Sequence, residues 1–402
     1  MYNLTNRHVV LGVSGSIAIY KAVDLASKLT QAGAVVDVAM TPEATKFISP
    51  ITFQSVTGRP AYHDMWNPGG DISELHVALA RRAELMVIAP ATATIMARLA
   101  IGLAEELVSL TSLATEAPLI VCPAMDGNMW KHPATQAHVD TLWSRGVEIV
   151  GPEEGRLASG QTGTGRLSEV DKIVGAVRKV AGASGDLAGK KIVISAGGTH
   201  EAIDPVRFIG NSSSGKMGFA LAEAARDRGA NVCLVTGPVA LADPYGMRVL
   251  RVTSASEMRD IIVPESADAD VLIMAAAVAD YQPSEPIGEK IKREKSDGMT
   301  LSLARTPDIL SEVGSRGGLI KVGFAAESQD LLKNAAHKLK SKGLHLIAAN
   351  DITQTDAGFN AETNRVVILD PEGGQEELPL LAKYDVAWRI LDRVSSLARS
   401  SE

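Results

Sequence analysis

The 402 residues predict an α/β protein of two doubly wound, Rossmann-like domains. Three observations predict it. The chain begins the same pattern twice, an apolar strand, a small-residue turn, a helix and a second strand. Short buried strands then alternate with helical stretches, and a small, glycine-rich segment, Ala181 to Gly189, separates the two openings. At 46% hydrophobic and 22% charged, the chain has apolar matter for two ordinary cores and too much for wholesale disorder.

In the first half His8 to Val13 reads as a strand, Gly12 to Ser16 as a tight turn, and Ile17 to Gln31 as a helix. Ala18, Ala22, Leu25, Ala26 and Leu29 share one face of that helix, and Gly33 stops it. Ala34 to Thr41 completes a β-α-β unit, and Leu85 to Ala89 is a further buried strand. In the second half Ile192 to Ala196 is the strand, Gly218 to Gly229 the helix and Ala230 to Thr236 the next strand. The boundary falls near residue 188, giving domains 1–188 and 189–402.

Charge and composition exclude several classes. A formal net charge of −7 offers no general attraction to phosphate backbones, which argues against a nucleic-acid partner. The apolar run Val271 to Ala279 is less than half the roughly 20 residues of a spanning helix, so no membrane segment is expected. The first strand begins almost at once, unlike a signal peptide. Cys122 and Cys233 sit in apolar strand contexts as buried free thiols do, which fits a reducing cytoplasm.

The candidate chemistry lies in the turns. Gly12, Ser14, Gly15 and Ser16 stand just before a helix, where backbone N–H groups can hold a phosphate. Thr41 ends the next strand, and Pro90, Ala91, Thr92 and Thr94 follow a third, so all approach the ligand-binding edge of such a sheet with room for a flat ring. Neither half carries G-x-G-x-x-G, which weakens a nicotinamide reading. In the second half Gly210 to Met217 (GNSSSGKM) nearly spells a phosphate-binding P-loop, but Met217 replaces the hydroxyl that would hold Mg²⁺. Gly197, Gly198, Thr199 and the loop Asn211 to Gly215 are therefore anion cradles on another scaffold.

Longer motifs carry a family resemblance. VSGSIA, PATATIMARLA, PAMDGNMW and ASGQTGTGRL resemble the flavodoxin-like, flavin-containing cysteine decarboxylases. AGGTHEAIDPVRFIGNSSSGKMG, AAAVADY, EKIK, TPDIL, VGFAAE and AANDI resemble phosphopantothenate-cysteine ligase. Together they cover nearly the whole chain in one order, that of the bacterial bifunctional decarboxylase/ligases of coenzyme A synthesis.

The resemblance implies FMN in the first half. There a flavin oxidises the substrate thiol to a thioaldehyde, giving the departing carboxylate an electron sink. It implies a proton-handling or orienting role for His76 and a substrate clamp at Pro123 to Trp130. Two positions depart from the pattern. The clamp normally has Asn at Asp126; Asn can donate to a substrate carboxylate, whereas ionised Asp only accepts, so Asp126 either carries a proton there or binds something else. The flap over the flavin normally carries a cysteine at Ser159, and a serine hydroxyl gives up a proton far less willingly. Water, Ser159 as a relay, or Cys122 are the substitutes open to the chain.

For the second half the resemblance implies CTP with Mg²⁺ or Mn²⁺, the metal ligands unassigned, and an acyl-cytidylate formed from 4′-phosphopantothenate and then attacked by cysteine. Asn211 and Lys290 act on that step; Ala275, Ala276, Asp280, Pro307, Asp308, Ile309, Leu310, Phe324, Lys338 and Lys342, with Lys290, contact the nucleotide. Family members form decarboxylase trimers and ligase dimers, so a homo-oligomer up to a dodecamer is implied. Two other classes compete: a peptide cysteine decarboxylase stopping at the enethiol, which Ser159 favours and the ligase half opposes, and a silent flavin-binding regulator, whose long acidic tail has no counterpart in Val394 to Glu402.

Overall fold

The structure is a computed structural model that describes residues 2–66, 74–292, 299–314, 317–327, 330–351 and 361–400. By packing, the chain divides into two compact units, Met1–Gly182 and Ala183–Glu402. The sequence suggests a boundary near residue 188, but residues 183–188 pack with the second unit. Leu187 is fully buried in that unit's core, and Asp186 is bound by Arg228.

In the first unit β1 (His8–Val13), β2 (Val35–Met40), β3 (Ala61–Tyr62), β4 (Leu85–Ala91), β5 (Leu119–Pro123) and β6 (Glu148–Ile149) form one sheet in the order β3-β2-β1-β4-β5-β6. Every pairing in it is parallel. Around the sheet run α1 (Ile19–Gln31), α2 (Pro50–Thr57), α3 (Leu75–Arg82), α4 (Ala93–Ile101), α5 (Leu107–Ala114), α6 (Gly127–Lys131), α7 (Pro133–Ser144) and α8 (Val170–Ala181). A hairpin of β7 (Glu153–Arg156) and β8 (Thr162–Arg166) stands apart from the sheet. β4 is buried along its whole length, as a strand covered on both faces must be. α1 buries Ile19, Ala22, Leu25, Ala26 and Leu29, the stripe its spacing predicts.

The second unit repeats the plan. β9 (Lys191–Ala196) is followed by a hairpin of β10 (His200–Ala202) and β11 (Phe208–Gly210), then α9 (Lys216–Arg226), β12 (Asn231–Thr236), β13 (Arg248–Arg251), α10 (Ala255–Glu265) and β14 (Val271–Met274). A second hairpin, β15 (Tyr281–Pro283) and β16 (Leu303–Arg305), precedes α11 (Ile309–Val313), β17 (Ile320–Glu327), α12 (Leu331–Ser341) and β18 (Leu346–Asp351). The chain closes with β19 (Thr363–Asn364), β20 (Val367–Leu369), β21 (Gln375–Glu377), β22 (Leu381–Ala382) and α13 (Lys383–Ser400). The main sheet runs β13-β12-β9-β14-β17-β18-β20-β21, with only its last two pairings, β18 with β20 and β20 with β21, antiparallel.

Without its antiparallel extension, that sheet has the same winding as the first: first strand central, second and third to one side, the rest to the other. This is the dinucleotide-fold order and narrows the flavodoxin-like expectation, since flavodoxins wind 2-1-3-4-5. In both units the winding reverses beside the first strand, between β1 and β4 and between β9 and β14.

The second unit also rebuilds a glycine fingerprint that its sequence hides. Gly197 at the end of β9 has φ +75°, Gly215 before α9 has φ +75°, and a Cβ on Gly218 would stand 2.5 Å from Ala196 Cβ and 2.9 Å from the Ser195 carbonyl. The β10/β11 hairpin, inserted between strand and helix, separates these glycines in sequence while the fold reunites them. Gly218→Ala should therefore force α9 off β9 and cost about 1–3 kcal/mol, whereas Gly288→Ala, at a position with no atom within 4 Å, should stay within about 0.5 kcal/mol. The second unit's thermal transition measures both, and equal effects would show that α9 does not rest on that contact.

Candidate active sites at the carboxyl edges of the two sheets

In the first unit Ser14 joins the two strands that part at the reversal. Its amide and its hydroxyl both donate to the Pro90 carbonyl, at 3.3 and 2.7 Å, and its Oγ accepts from the Thr92 amide at 3.0 Å. Ser14 is 2% exposed, so its hydroxyl is structural. Gly12 is a packing glycine, since a Cβ there would meet Val108 Cγ1 at 2.7 Å. Gly15 lets the turn close on the next loop, for its Cβ would lie 2.5 Å from Glu43 Cβ. Thr41 is buried and accepts from the Ala44 amide, shaping that loop. Pro90 and Ala91 are buried, Thr92 caps α4, and Thr94 is exposed one residue into that helix. Of the expected cofactor residues, Ser16 reaches a cleft, half-buried at the start of its wall.

That cleft, of about 500 Å³, runs from Ser16, Ile17 and Ala18 to Met125, Asp126 and the β7/β8 hairpin with Ser159. The hairpin is pressed onto the clamp because Gly165 has no side chain: its carbonyl accepts from the Met125 amide at 2.9 Å, and a Cβ there would sit 2.2 Å from the Met125 carbonyl. Asp126 and Ser159, the two positions that depart from the expected pattern, are bonded to each other. Ser159 donates through Oγ to Asp126 Oδ2 at 2.9 Å, while Asp126 Oδ1 accepts from the Asn128 amide and caps α6. Asp126 thus binds its own flap. His76 is half-buried on α3, which is held by buried Leu75 and Leu79 and by the Arg82–Asp37 ion pair, and it does not line this cleft. Cys122 is fully buried, and burial pushes its thiol pKa far up, which removes it as a substitute acid.

In the second unit a matching set of hydroxyls ties the reversal together. The Ala276 amide donates to Ser195 Oγ at 3.0 Å, and the Ala279 amide to Thr199 Oγ1 at 2.9 Å. Gly198 must be bare because a Cβ would stand 2.4 Å from the Asn211 carbonyl. Above this edge lie two clefts of about 540 and 550 Å³ that share Ala276, Val278, Asp280, Phe324 and Lys338. The first is walled by the Asn211–Gly218 segment, Ala275 and Lys383, the second by Pro307 to Leu310 and Lys342. So Asn211 and every expected nucleotide residue except Lys290 is brought to one continuous edge. Asn211 donates to the Val278 carbonyl at 3.0 Å, and Lys338 to the Phe324 carbonyl at 2.8 Å. Lys342 pairs with Asp308; burial works to raise that carboxyl, but the bonds from Lys342 and Ser311 outweigh it and hold it below its ordinary value.

Lys290 is exposed and does not line either cleft. Its neighbour Ile291 is tethered to the turn after β10: the Ile291 amide donates to Asp204 Oδ2 at 3.1 Å, and Arg207 bridges Asp204 and the Ile291 carbonyl. Burial opposes ionisation of Asp204, but amides of Val206, Ile291 and Arg207 and the Arg207 charge hold its pKa at about 2. Sequence reasoning missed Asp204 and also the cleft residues Lys216, Asn350, Asn364 and Lys383. Burial first, and Lys216 second, push the Lys383 ammonium below its ordinary value. A buried lysine at a helix start is indistinguishable in sequence from a surface one.

Two doubly wound units, each with a built cleft at the carboxyl edge of its own sheet, define a two-site α/β enzyme. Residues 1–182 match the family described as Flavoprotein, and residues 187–397 match the DNA/pantothenate metabolism flavoprotein C-terminal domain. The coenzyme A biosynthesis bifunctional protein CoaBC of Bacillus subtilis is 44% identical over 402 residues, covering 99% of each chain. That of Vibrio vulnificus is 42% identical over 400 residues, with 99% of each chain covered. A solved C-terminal domain of a CoaBC protein is 38% identical, covers 54% of this chain and 100% of its own, and has a TM-score of 0.47. The chain belongs to the CoaBC family of bifunctional coenzyme A biosynthesis proteins. It is an enzyme with a flavoprotein decarboxylase half and a ligase half. Among the described residues no helix is long and apolar enough to cross a membrane.

Ser14→Ala should leave the Thr92 amide without its partner and the Pro90 carbonyl with only the longer bond from the residue-14 amide, and cost the first unit about 1–3 kcal/mol. Ser16→Ala, at the cleft, should cost no more than about 0.5 kcal/mol. Thermal unfolding of the two variants checks the distinction, and a neutral Ser14→Ala would remove Ser14 from the structural role assigned to it.

Proposed function

We propose that the second unit joins 4′-phosphopantothenate to cysteine using CTP, and that the first unit decarboxylates the resulting 4′-phosphopantothenoylcysteine to 4′-phosphopantetheine with FMN bound. The observation that carries this reading is the gathering of Asn211, Ala275, Ala276, Asp280, Phe324, Lys338 and Lys342 around adjoining clefts at one sheet edge. Residues drawn from four separate stretches of the chain between positions 211 and 342 meet there, and together they give the edge a mixed small, aromatic and cationic character.

In the ligase half the substrate carboxylate attacks the α-phosphorus of CTP, releasing pyrophosphate; the cysteine amine then displaces CMP and forms the amide. The small side chains of Ala275 and Ala276 leave room for a nucleotide beside the sheet edge, and Lys338 and Lys342 supply positive charge. Among the described residues no group of three or more His, Cys, Asp or Glu could hold a metal ion. Mg²⁺ or Mn²⁺ would travel on the triphosphate, with Asp280, which lines both clefts, as the carboxylate at hand, the usual mode for a nucleotide-borne cation. Lys290, carried by the segment that Asp204 tethers, serves the acyl-cytidylate from outside the clefts.

In the decarboxylase half the wall that starts at Ser16, Ile17 and Ala18 and runs to Asp126 and Ser159 leaves space for a flat ring seated beside the substrate. Bound FMN supplies the electron sink that a cysteine carboxylate lacks. Ser159 is a weak acid on its own, but its hydroxyl is aimed at Asp126, so the pair can hold a proton and pass it through the flap. His76 does not line the cleft of its own chain, and the reading places it in a site completed between copies, as a trimer would provide.

The test is to supply purified protein with 4′-phosphopantothenate, cysteine, CTP and Mg²⁺. Pyrophosphate, CMP, carbon dioxide and phosphopantetheine are expected from flavin-coloured protein. Protein that stays colourless in the presence of FMN would overturn the first half of the reading, and absence of pyrophosphate the second. In the reaction proposed, loss of the carboxylate leaves an enethiol that must be reduced and protonated to give 4′-phosphopantetheine, and Ser159→Cys should speed that step by at least about tenfold, given the usual worth of a competent general acid. An enethiol product from the unmodified chain would favour the truncated reaction instead.

A further inference from the structure

Lys321 lies at the amino end of β17 and is 3% exposed, yet neither of its hydrogen-bond partners is a carboxylate. Its Nζ donates to the Gly314 carbonyl at 2.9 Å and to the Lys342 carbonyl at 3.0 Å. Those two residues are the C-caps of α11 and α12. One buried ammonium thus takes the unpaired terminal carbonyls of two helices, where a positive charge also meets the negative end of each helix dipole. The rest of Lys342 reaches the other way: its own Nζ binds Asp308 and Ser311, at the start of α11. α11 is therefore pinned to α12 at both of its ends.

We infer that Lys321 is a positioning residue of the ligase reaction, locking α11 to α12 so that Asp308 to Leu310 and Lys338 with Lys342 face one nucleotide at a fixed spacing. The inference rests on the reading of this cleft as the CTP site. Burial holds the ammonium below its ordinary pKa, so the site is maintained against a desolvation cost that an apolar side chain would not incur. The main-chain frame around it is rigid as well: the Lys321 amide donates to His345 Nδ1 at 3.0 Å, and the His345 amide to the Lys321 carbonyl at 2.8 Å.

The test uses the full chain carrying Lys321→Met, which keeps the apolar stem and loses the donors. Without nucleotide, hydrogen exchange should speed at least tenfold in the peptides spanning residues 307–314 and 336–343 and stay unchanged in the first unit. With substrates, KM for CTP should rise at least tenfold while KM for cysteine and the decarboxylation rate stay within twofold. Combined with Lys342→Met, the effect on KM should be less than the product of the two single effects, because Lys321 acts through Lys342. Unchanged exchange overturns the lock itself, whatever the cleft binds. Faster exchange with CTP affinity unaltered, or multiplicative effects in the double variant, overturns its service to the nucleotide site. Calorimetry on the unmodified protein separates the remaining case: no CTP binding there means that the nucleotide reading fails and the inference with it. If Lys321→Met does not fold, Lys321→Gln is measured in the same way, with intermediate changes expected and none overturning the inference.

Discussion

Both units depend on one constraint, the hydrogen bonding of a strand end to the loop that leaves its neighbour. Where a doubly wound sheet reverses, the connections depart to opposite faces and open a crevice. Main-chain groups at that crevice lose their ladder partners and must find others. In the first unit Ser14 supplies them for Pro90 and Thr92; in the second, Ser195 and Thr199 do so for Ala276 and Ala279. Small hydroxyl residues are suited to this because they satisfy the backbone without filling the space. The ligand edge is thereby rigid and still open.

What is built above the edge differs between the units, and the difference follows from insertions. The first unit takes a glycine-bearing hairpin, β7/β8, whose bare Gly165 lets it lie flat on the clamp. The second inserts β10/β11 between strand and helix, which brings Asn211 against Gly198 and anchors residue 291 through Asp204. Each insertion adds side chains to an edge whose main chain is already complete. Chemistry is thus varied with little effect on the sheet beneath.

The repeated strand, turn and helix pattern was legible in the sequence because its spacing is clear, and α1 and β4 have the burial that spacing demands; the order of strands in the first sheet was not, because it depends on which neighbours pair and not on local spacing. The residues that line the second unit's two clefts were legible as a set through long motifs that keep their order. Gly12 and Ser14 have structural partners that spacing does not reveal: residues fit to meet a phosphate are equally fit to pack against Val108 or to satisfy Pro90. Lys321, Asp204 and Lys383 were invisible because their significance lies in partners distant along the chain. The fingerprint of Gly197, Gly215 and Gly218 was hidden by the hairpin inside it.

Asp126 and Ser159 show how two departures from a pattern become one arrangement. Taken singly, an ionised carboxylate at 126 would only accept hydrogen bonds and would repel another carboxylate, and a hydroxyl at 159 is a poor replacement for a thiol. Bonded together, the carboxylate gains a donor and the hydroxyl gains an acceptor able to receive its proton. The cap on α6 occupies the other oxygen, so Asp126 faces the flap with one oxygen and the helix with the other. Replacing either residue alone removes the same bond, so the effects of the two replacements are expected to overlap and not to add. The flap and the clamp of this chain are one unit, joined at the bond that both unexpected residues share.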